Sequence, residues 1–263
     1  MANFEAILYD KKSGVATITL NRPEALNAIT RQMFIEIGQA LDDAEIDNSV
    51  SVVVMKGSGQ SFCAGVDLKF ATEELKTLQD EQDLFRLGNK MALEKMEGLS
   101  KPVIASVHGY CMAGGFEMML ASDLVIAAED AVISDQHINV GLFGGGGCVY
   151  RLALLVGIRR AKEIVLTGKR LSGKEAEQLG IVNHAVPAGK LDKSVAEMAA
   201  TLSEKSPVAM KLSKWYINKT MMVDADIRLE LAIMYSLIDS TSEDKEEGMR
   251  AFVEKRKPVF KGR

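Results

Sequence analysis

One carboxylate in this sequence has surroundings that suit chemistry: Glu117, three residues after Gly114 in the segment AGGFEMML. The apolar residues that follow have helical spacing, so the glycines are predicted to open a helix. The first N–H groups of a helix can bind a polarised oxygen, and a glycine lets a ligand come close. Phe116 and Met118 should raise the pKa of Glu117 toward the range of a proton-transfer group. An oxyanion donor and an acid/base group are therefore predicted side by side.

A second loop offers another backbone donor. The residues SVSVVVMKG at 49–57 are nearly continuous in valine, which is typical of a strand buried in a parallel sheet. After it, Gly65 precedes a helix start near Asp67. The N–H of Val66 is therefore predicted to point into a cleft at the carboxyl end of that strand.

Both features also have a purely structural explanation. A glycine pair permits close helix packing, and a glutamate in the first turn of a helix is stabilised by the helix dipole. The residues of the segment alone leave the catalytic and the structural explanation open.

The elements that position these loops repeat along the chain. FEAILYD and GVATITLN alternate in polarity around a turn at 11–14, and helical spacing starts at Thr30. A charged helix from about Ala71 to Glu97 then leads to KPVIASVHG, another buried-strand pattern, and Ser172 is placed to cap a later helix. The repetition predicts an α/β fold of wound βα units.

The last part of the chain is helical in pattern, from Leu191 to Lys255. We therefore predict a core at residues 1–195, which carries the site, and a C-terminal helical region at 196–263. No sheet is predicted for the C-terminal helices to pack on.

Those helices carry Trp215 and the pair Met221-Met222. Met-rich helices with an aromatic residue are typical of subunit contacts, so an oligomer surface is the favoured interpretation. The alternatives are that the helices close over the chain's own core or form a cofactor site.

Composition argues against several classes of protein. The 263 residues are 47% hydrophobic and 26% charged, which suits a large globular domain. No apolar run reaches membrane-spanning length and the N-terminus lacks the apolar core of a signal peptide, so we expect no membrane association and a cytoplasmic location. The net charge of −4 gives no electrostatic reason for a nucleic acid partner.

Cysteines and histidines form no recognisable ligand motif. The cysteines lie at positions 63, 111 and 148, and the histidines at 108, 137 and 184. These spacings predict neither a disulfide framework nor a metal site. Cys63 is expected to be a small buried hydrophobe rather than a reactive thiol.

Five segments together resemble the crotonase family, also called the enoyl-CoA hydratase/isomerase family. They are NRPEALNAI at 21–29, SFCAGVDLK at 61–69, KPVIASVHGYCMAGGFEMMLASDLVIAA at 101–128, LTGKRLSGKEAEQLGIVNHAVP at 166–187 and SEDKEEGMRAFVEKRKPVFKGR at 242–263. Each motif is weak alone, but the five cover nearly the whole chain in order. The resemblance implies a spiral of ββα units with a C-terminal helical region, assembled as a homotrimer or as a hexamer of two trimers.

The resemblance also implies a chemistry, the stabilisation of a thioester enolate. Negative charge on the thioester oxygen is met by two backbone N–H donors. At the matching positions these donors are Val66 and Gly114, the two amides to which the loops already point. Coenzyme A would be part of the acyl-CoA substrate, and no separate cofactor or metal is implied.

Residues that contact CoA are also implied by the resemblance. Four of them, from the RPEALNA segment and the AGxD loop, are Ala25, Ala64, Asp67 and Leu68. Three more at the end of the chain would reach the nucleotide from a neighbouring subunit: Lys257, Phe260 and Lys261. Asp67 is expected to be structural rather than chemical, and Lys261 is equally open to being a solvated charge.

The sequence departs from the family at the second acid. Hydratases of the family carry a second carboxylate 20 residues after the first, and here that position is His137, with Ser134 and Gln136 in place of the flanking glycine and proline. Imidazole titrates near neutral pH, so His137 is a candidate acid/base group, or else a hydrogen-bonding residue of the pocket wall. Asp135 is predicted to point away unless a bulge turns it in. The glycines at 144–147 are expected to leave room for a bulky or cyclic acyl group.

Three functions follow as hypotheses. The first is an enoyl-CoA hydratase in which Glu117 activates water, with or without help from His137. The second is an enoyl-CoA isomerase, or a CoA-ester hydrolase or decarboxylase that acts on branched or cyclic acyl-CoA. The third is a family member without catalysis that binds acyl-CoA or RNA. The presence of Glu117 and both donor loops argues against the third, and the net negative charge argues against RNA.

Overall fold

The computed structural model describes residues 4–220 and 223–263. Its strands are β1 (Ile7–Lys12), β2 (Val15–Leu20), β3 (Val52–Gly57), β4 (Val103–Val107), β5 (Tyr110–Met112), β6 (Leu124–Ala128), β7 (Val132–Ser134), β8 (Leu171–Ser172) and β9 (His184–Val186). They form a six-stranded sheet in the order β1-β2-β3-β4-β6-β9 and a three-stranded sheet in the order β5-β7-β8.

The helices connect and cover these sheets. They are α1 (Arg31–Ile46), α2 (Leu68–Glu74), α3 (Leu78–Gly88), α4 (Glu94–Gly98), α5 (Gly114–Ala121), α6 (Cys148–Val156), α7 (Ile158–Thr167), α8 (Gly173–Gln178), α9 (Leu191–Ser203), α10 (Pro207–Thr220), α11 (Ala225–Ser240) and α12 (Glu243–Glu254). Short 3-10 helices lie at 23–25, 137–140 and 188–190. Across the described helices, none combines the length and the apolar character that crossing a bilayer requires.

The predicted hairpin and parallel strands are confirmed. Strands β1 and β2 pair antiparallel, and the turn between them is shorter than predicted, since only Ser13 and Gly14 remain outside the ladder. Strands β2, β3, β4, β6 and β9 then pair in parallel. The side chains of β4 are all buried, as its continuous apolar sequence predicts.

The chain repeatedly passes from the large sheet to the small one. After β4 it enters β5 and then α5, and after β6 it enters β7. This is the ββα winding implied by the family resemblance. As a result, α5 begins directly after a strand of the small sheet, beside the loop that follows β3 of the large sheet.

The prediction of one charged helix from Ala71 to Glu97 is wrong, because the structure has several helices in this stretch. The first, α2, begins earlier than predicted and is capped by Asp67, and Thr77 then opens α3 with a capping box. A π-helical turn at 89–93 then separates α3 from α4. Such turns often lie at functional sites, and Asn89 and Leu93 of this one line the cavity described below.

The prediction that the C-terminal helices have no sheet to pack on is wrong for α9. This helix packs against β3, β4 and β6, because its apolar face, which includes Val195 and Ala199, is buried. The predicted boundary after residue 195 falls inside α9. Trp215 of α10 donates a hydrogen bond of 2.9 Å from Nε1 to Gly98 O of the same chain. The pair Met221-Met222 lies outside the described residues.

The predicted helix cap at Ser172 is confirmed, and it forms a full capping box. Ser172 Oγ accepts a hydrogen bond from the Glu175 amide at 3.2 Å, and Glu175 Oε2 accepts one from the Ser172 amide at 2.7 Å. We expect Ser172→Ala to lower the free energy of unfolding by about 1 kcal/mol. The midpoint of urea denaturation measures this. Ser172→Thr should lose much less, because it keeps the hydroxyl that accepts from the Glu175 amide and donates to Glu175 Oε2. A midpoint unchanged in Ser172→Ala would contradict the assignment.

Candidate active site

The two predicted donor loops lie against each other. Gly65 has a φ of +102°, and a Cβ built on it would lie 2.8 Å from the Cβ of Ala113 and 3.3 Å from the amide nitrogen of Gly114. A Cβ built on Gly114 would in turn lie 3.6 Å from the amide nitrogen of Val66. Glycine is therefore required at position 65, where both the φ and the contact with Ala113 exclude a side chain. At position 114 the tight contact of an added Cβ would be with Ile29 Cδ1, at 2.9 Å.

Neither of these two amides is used by the protein's own hydrogen bonds. Within residues 4–220 and 223–263, the N–H groups of Val66 and Gly114 donate to no protein acceptor. Their neighbours are fixed: Asp67 N donates to Ile29 O at 2.9 Å, and Ala113 N donates to Ser134 O at 3.1 Å. Each free donor is thus next to a residue whose own amide is hydrogen-bonded, Asp67 for Val66 and Ala113 for Gly114.

The residue that precedes α5 has a strained backbone. Ala113 has a φ of +47° and a ψ of −116°, a region that residues with a side chain rarely adopt and that costs about 1–3 kcal/mol. This conformation turns the chain abruptly from β5 into α5. The strain is therefore located where it sets the direction of the Gly114 amide.

Glu117 is buried one turn into α5, with only 7% of its surface exposed. Its Oε1 accepts a hydrogen bond of 2.7 Å from the amide of Gly146. Burial raises the pKa of Glu117 above its usual value, and this effect outweighs the nearby charge of His137 and the bond from Gly146. The carboxylate therefore has the increased basicity that was predicted for a proton-transfer group.

The prediction that Asp135, in a continuing strand without a bulge, points to the opposite face from His137 is wrong. Asp135 Oδ1 lies 2.5 Å from His137 Nδ1, and Asp135 is almost completely buried. Strand β7 ends at Ser134 and a 3-10 helix begins at His137, so the geometry of a strand does not apply to this pair. Even in a strand, residues two apart lie on one face. The structure therefore couples the histidine to a carboxylate.

Each member of this pair shifts the pKa of the other. Burial alone would lower the pKa of His137, but the hydrogen bond to Asp135 and the charges of Glu117 and Asp135 outweigh it and raise that pKa. Burial alone would raise the pKa of Asp135, but the bond and charge of His137 outweigh it and lower that pKa. The raised pKa of His137 favours the charged form of the imidazole, which lies between two carboxylates.

This coupling predicts a pH-dependent contribution to stability. The pKa of His137 is raised above 6.5 in the folded protein. The stabilisation that this provides is complete below pH 6.5 and is lost as the pH rises through the folded-state pKa. The pKa of Asp135 is lowered below 3.8 in the folded protein. The stabilisation that this provides is present above pH 3.8 and is lost on acidification. Asp135→Asn should therefore lower the melting temperature by about 2–4 °C at pH 6, the effect of about 1 kcal/mol, and by clearly less at pH 9. Equal losses at both pH values would contradict the ion pair.

A cysteine that the sequence did not single out joins the site. Cys148, the first residue of α6, is fully buried, with Sγ 3.6 Å from Asp135 Oδ2. Burial and the two neighbouring carboxylates raise the pKa of its thiol, which makes it a poor nucleophile. Cys63 is buried as predicted, and burial raises its pKa to about 12.

The glycine run does not leave room for a large acyl group, contrary to prediction. A Cβ on Gly144 would lie 2.3 Å from Cys148 Sγ, and one on Gly146 would lie 2.3 Å from Glu117 Oε2. The space that side chains would occupy is already filled by the protein. These glycines are therefore required for the loop to pack directly on the site residues.

An arginine holds this loop from the other side. Arg151 Nη1 donates to Gly146 O at 2.6 Å, and its Nε donates to Glu97 Oε1 at 2.6 Å. The same peptide segment donates to Glu117 through the Gly146 amide. Arg151 and Glu97 therefore position the catalytic candidate indirectly. Sequence spacing gives no signal for this connection, because Glu97 is 54 residues from Arg151.

The four residues predicted to do chemistry share one narrow cavity of about 40 Å³. It is lined by Phe34, Val66, Leu84, Phe85, Gly88, Asn89, Leu93, Gly114, Glu117, Met118, His137 and Gly146. Most of the wall is apolar, which strengthens any electrostatic interaction inside it. A carboxylate and an imidazole, each with a raised pKa, and two free amides thus face one space. This arrangement suits reactions that develop negative charge on an oxygen.

Of the predicted CoA residues in the first part of the chain, Ala64, Asp67 and Leu68 belong to the loop of Val66, which lines the cavity, but none of the four lines it. The Ala64 amide donates to Leu26 O at 3.0 Å, which joins the AGxD loop to the segment of Ala25. Asp67 caps α2 and pairs with Arg22 at 2.9 Å, a structural role as predicted. Leu68 is exposed.

The three predicted CoA residues at the end of the chain do not line the cavity within one protomer. Lys257 pairs with Glu204, and Lys261 pairs with Glu243 at 3.2 Å. Phe260 packs near Gly248 of α12. Their predicted contact with CoA of a neighbouring subunit stays a prediction.

Comparison with known proteins identifies relatives along the whole chain. The sequence model of the enoyl-CoA hydratase/isomerase family matches residues 10–263. The short-chain-enoyl-CoA hydratase of Clostridium acetobutylicum is 34% identical over 252 residues, which are 95% of each chain. The mitochondrial enoyl-CoA hydratase of Pongo abelii is 35% identical over 265 residues, 99% of this chain and 89% of the relative. The crystal structure of an enoyl-CoA hydratase from Bacillus anthracis, 31% identical, superposes with a TM-score of 0.94 over 98% of this chain and 100% of its own.

Proposed function

Because the chain belongs to the enoyl-CoA hydratase/isomerase family, we propose that it catalyses the addition of water to a 2-enoyl-CoA. The substrate is an acyl-CoA thioester, and no separate cofactor is required. The observation that carries the proposal is the convergence of two free amides, Glu117 and His137 on one cavity.

The proposed mechanism assigns a separate task to each group. The amides of Val66 and Gly114 bind the thioester oxygen, on which negative charge develops as water attacks the β carbon. Glu117 accepts a proton from that water, and its raised pKa suits this base. His137, whose pKa is raised by its carboxylate neighbours, supplies the proton that the α carbon receives. Transfer of a proton from Glu117 to His137 then restores both groups for the next turnover.

Asp135 would act through His137 in this mechanism. Its bond to Nδ1 fixes the orientation of the imidazole and stabilises the charged form. The usual second glutamate would thus be replaced by a histidine supported by a carboxylate.

The test is an assay with two substrates. Crotonyl-CoA should lose its enoyl absorbance as the hydroxyacyl product forms. A β,γ-enoyl-CoA, for which hydration requires prior isomerisation, should react more slowly. Conversion of the β,γ-enoyl-CoA alone would replace the proposal with an isomerase. Turnover of neither, with hydrolysis or decarboxylation of a branched or cyclic acyl-CoA, would replace it with the second hypothesis.

We also propose that the protein assembles as a homotrimer or a hexamer of two trimers. The C-terminal helices carry an exposed apolar surface on α11, which comprises Ile227, Leu229, Ile233, Met234, Leu237 and Ile238. A groove of about 880 Å³ between α6 and α10 is also rich in apolar residues, including Leu154, Leu155 and Ile217. Surfaces of this kind mark subunit contacts. Sedimentation equilibrium tests the proposal, and a monomer at micromolar concentration would contradict it.

A further inference from the structure

Three side chains of the types that bind zinc meet in the candidate active site. One ligand atom each of Glu117, His137 and Cys148 lies within 4.8 Å of the other two. Carboxylate oxygen, imidazole nitrogen and thiolate sulfur are the ligands of protein zinc sites. The three residues come from α5, from the 3-10 helix at 137–140 and from α6, which explains why no ligand spacing appears in the sequence.

We propose that these three residues form an inhibitory site for one Zn²⁺ ion, with the fourth coordination position open to water. Metal–ligand distances of about 2.0–2.3 Å place tetrahedral ligand atoms about 3.4–3.8 Å apart. The three side chains therefore need to close by only about 1 Å. Glu117 and His137 line the cavity, and the fully buried Cys148 belongs to the same cluster.

Asp135 supplies the outer contact that zinc-binding histidines usually have. Its carboxylate bonds to His137 Nδ1 at 2.5 Å, so the proposal assigns the metal to Nε2. A carboxylate in this position orients the ring and increases its basicity, and its loss typically weakens metal binding by about 10–100-fold. Binding releases the proton of the Cys148 thiol and, when the imidazole is charged, the Nε2 proton of His137, without any oxidation or reduction.

The expected consequence is inhibition, which rests on the proposed function. A zinc ion on Glu117 removes the base that accepts a proton from water. The binding itself does not depend on hydration being the reaction. Metal binding and enzyme activity are therefore measured separately.

Cobalt provides the direct test of binding. Metal-free protein titrated with Co²⁺ should show a thiolate-to-cobalt charge-transfer band that saturates at one equivalent, and Zn²⁺ should displace the cobalt. Cys148→Ser should abolish the band and weaken Zn²⁺ binding roughly 100-fold, and Asp135→Asn should weaken it about 10–100-fold. Cys111→Ala is the matched control, because Cys111 is equally buried but belongs to β5, and it should keep both the band and the affinity.

Several outcomes would overturn the site. They are absence of the band in the unmodified protein, its persistence in Cys148→Ser, or its loss in Cys111→Ala. If circular dichroism shows that Cys148→Ser is unfolded, His137→Gln at the cavity wall replaces it and should weaken Zn²⁺ binding to a similar degree. Zinc that binds without slowing hydration, or without reversal by a chelator, would overturn the inhibitory role. Absence of hydration in the metal-free protein would instead overturn the proposed function and leave the binding result intact.

Discussion

Replacement of Glu117 by glutamine is expected to lower kcat for hydration of crotonyl-CoA by about 10²–10⁴-fold, the usual contribution of a positioned acid/base group. Glutamine has nearly the same shape and can still accept the bond from the Gly146 amide, but it cannot take a proton from water. KM should change little, because the thioester oxygen would be bound by the amides of Val66 and Gly114. Steady-state kinetics that separate kcat from KM provide the measurement.

Glu36→Gln is the matched control for this variant. Glu36 is also a buried glutamate, but it accepts hydrogen bonds from the amides of Ala6 and Ile7, away from the cavity. Its replacement should reduce stability, since a carboxylate bonded to several amides is lost, and leave kcat within about threefold of the original, well below the range expected for a positioned acid/base group. Equal losses of kcat in both variants would show that the effect of Glu117→Gln is structural and would remove Glu117 as the base.

The second large effect is expected from Gly146→Ala. The added Cβ would lie 2.3 Å from Glu117 Oε2 and 2.6 Å from its Cδ, and the hydrogen bond from Arg151 to Gly146 O prevents the loop from retreating. The carboxylate must therefore move. A displacement of about 1 Å at a reacting group can cost about 100-fold in rate, so kcat should fall by about that factor.

The neighbouring glycine tests whether this effect is specific. A Cβ on Gly145 would meet only the ring of Phe85, at 3.1 Å, and that ring is about half exposed and free to shift. Gly145→Ala should therefore keep kcat within about threefold, because the cost of a slightly tight contact at an exposed ring is small. If Gly146→Ala retained full activity, the bond from the loop to Glu117 would have no part in positioning the acid.

Local sequence signals were sufficient for the main elements and for four residues of the candidate site. Valine-rich runs fixed the parallel strands, and a glycine before a helical pattern located the start of α5 at Gly114. Val66, Gly114, Glu117 and His137 were each predicted from short motifs or from family spacing, and they do line one cavity. Such signals work because helix starts and strand ends depend on a few neighbouring residues.

Two features of the site were not predicted correctly from the sequence. The contact of Asp135 with His137 was missed although residues two apart lie on one face even in a strand, and β7 in fact ends at Ser134. The glycine run was interpreted as open space, although Glu117 and Cys148 fill that space. Only the second error has a tertiary cause, because the surroundings of the glycine run are set by Glu117, 29 residues from Gly146.

The sequence by itself determined which groups are available: two backbone amides after glycines, one acid in the first turn of a helix, and a histidine where relatives of the family carry a second acid. Only the tertiary structure decided their environment, because burial, the Asp135 contact and the position of Cys148 arise from packing α5, α6 and the end of β7 together. The pKa of Glu117 depends on that packing, since it is raised chiefly by removal of the carboxylate from water. Residue types set the chemistry that is possible, and the fold sets the protonation states in which it can occur.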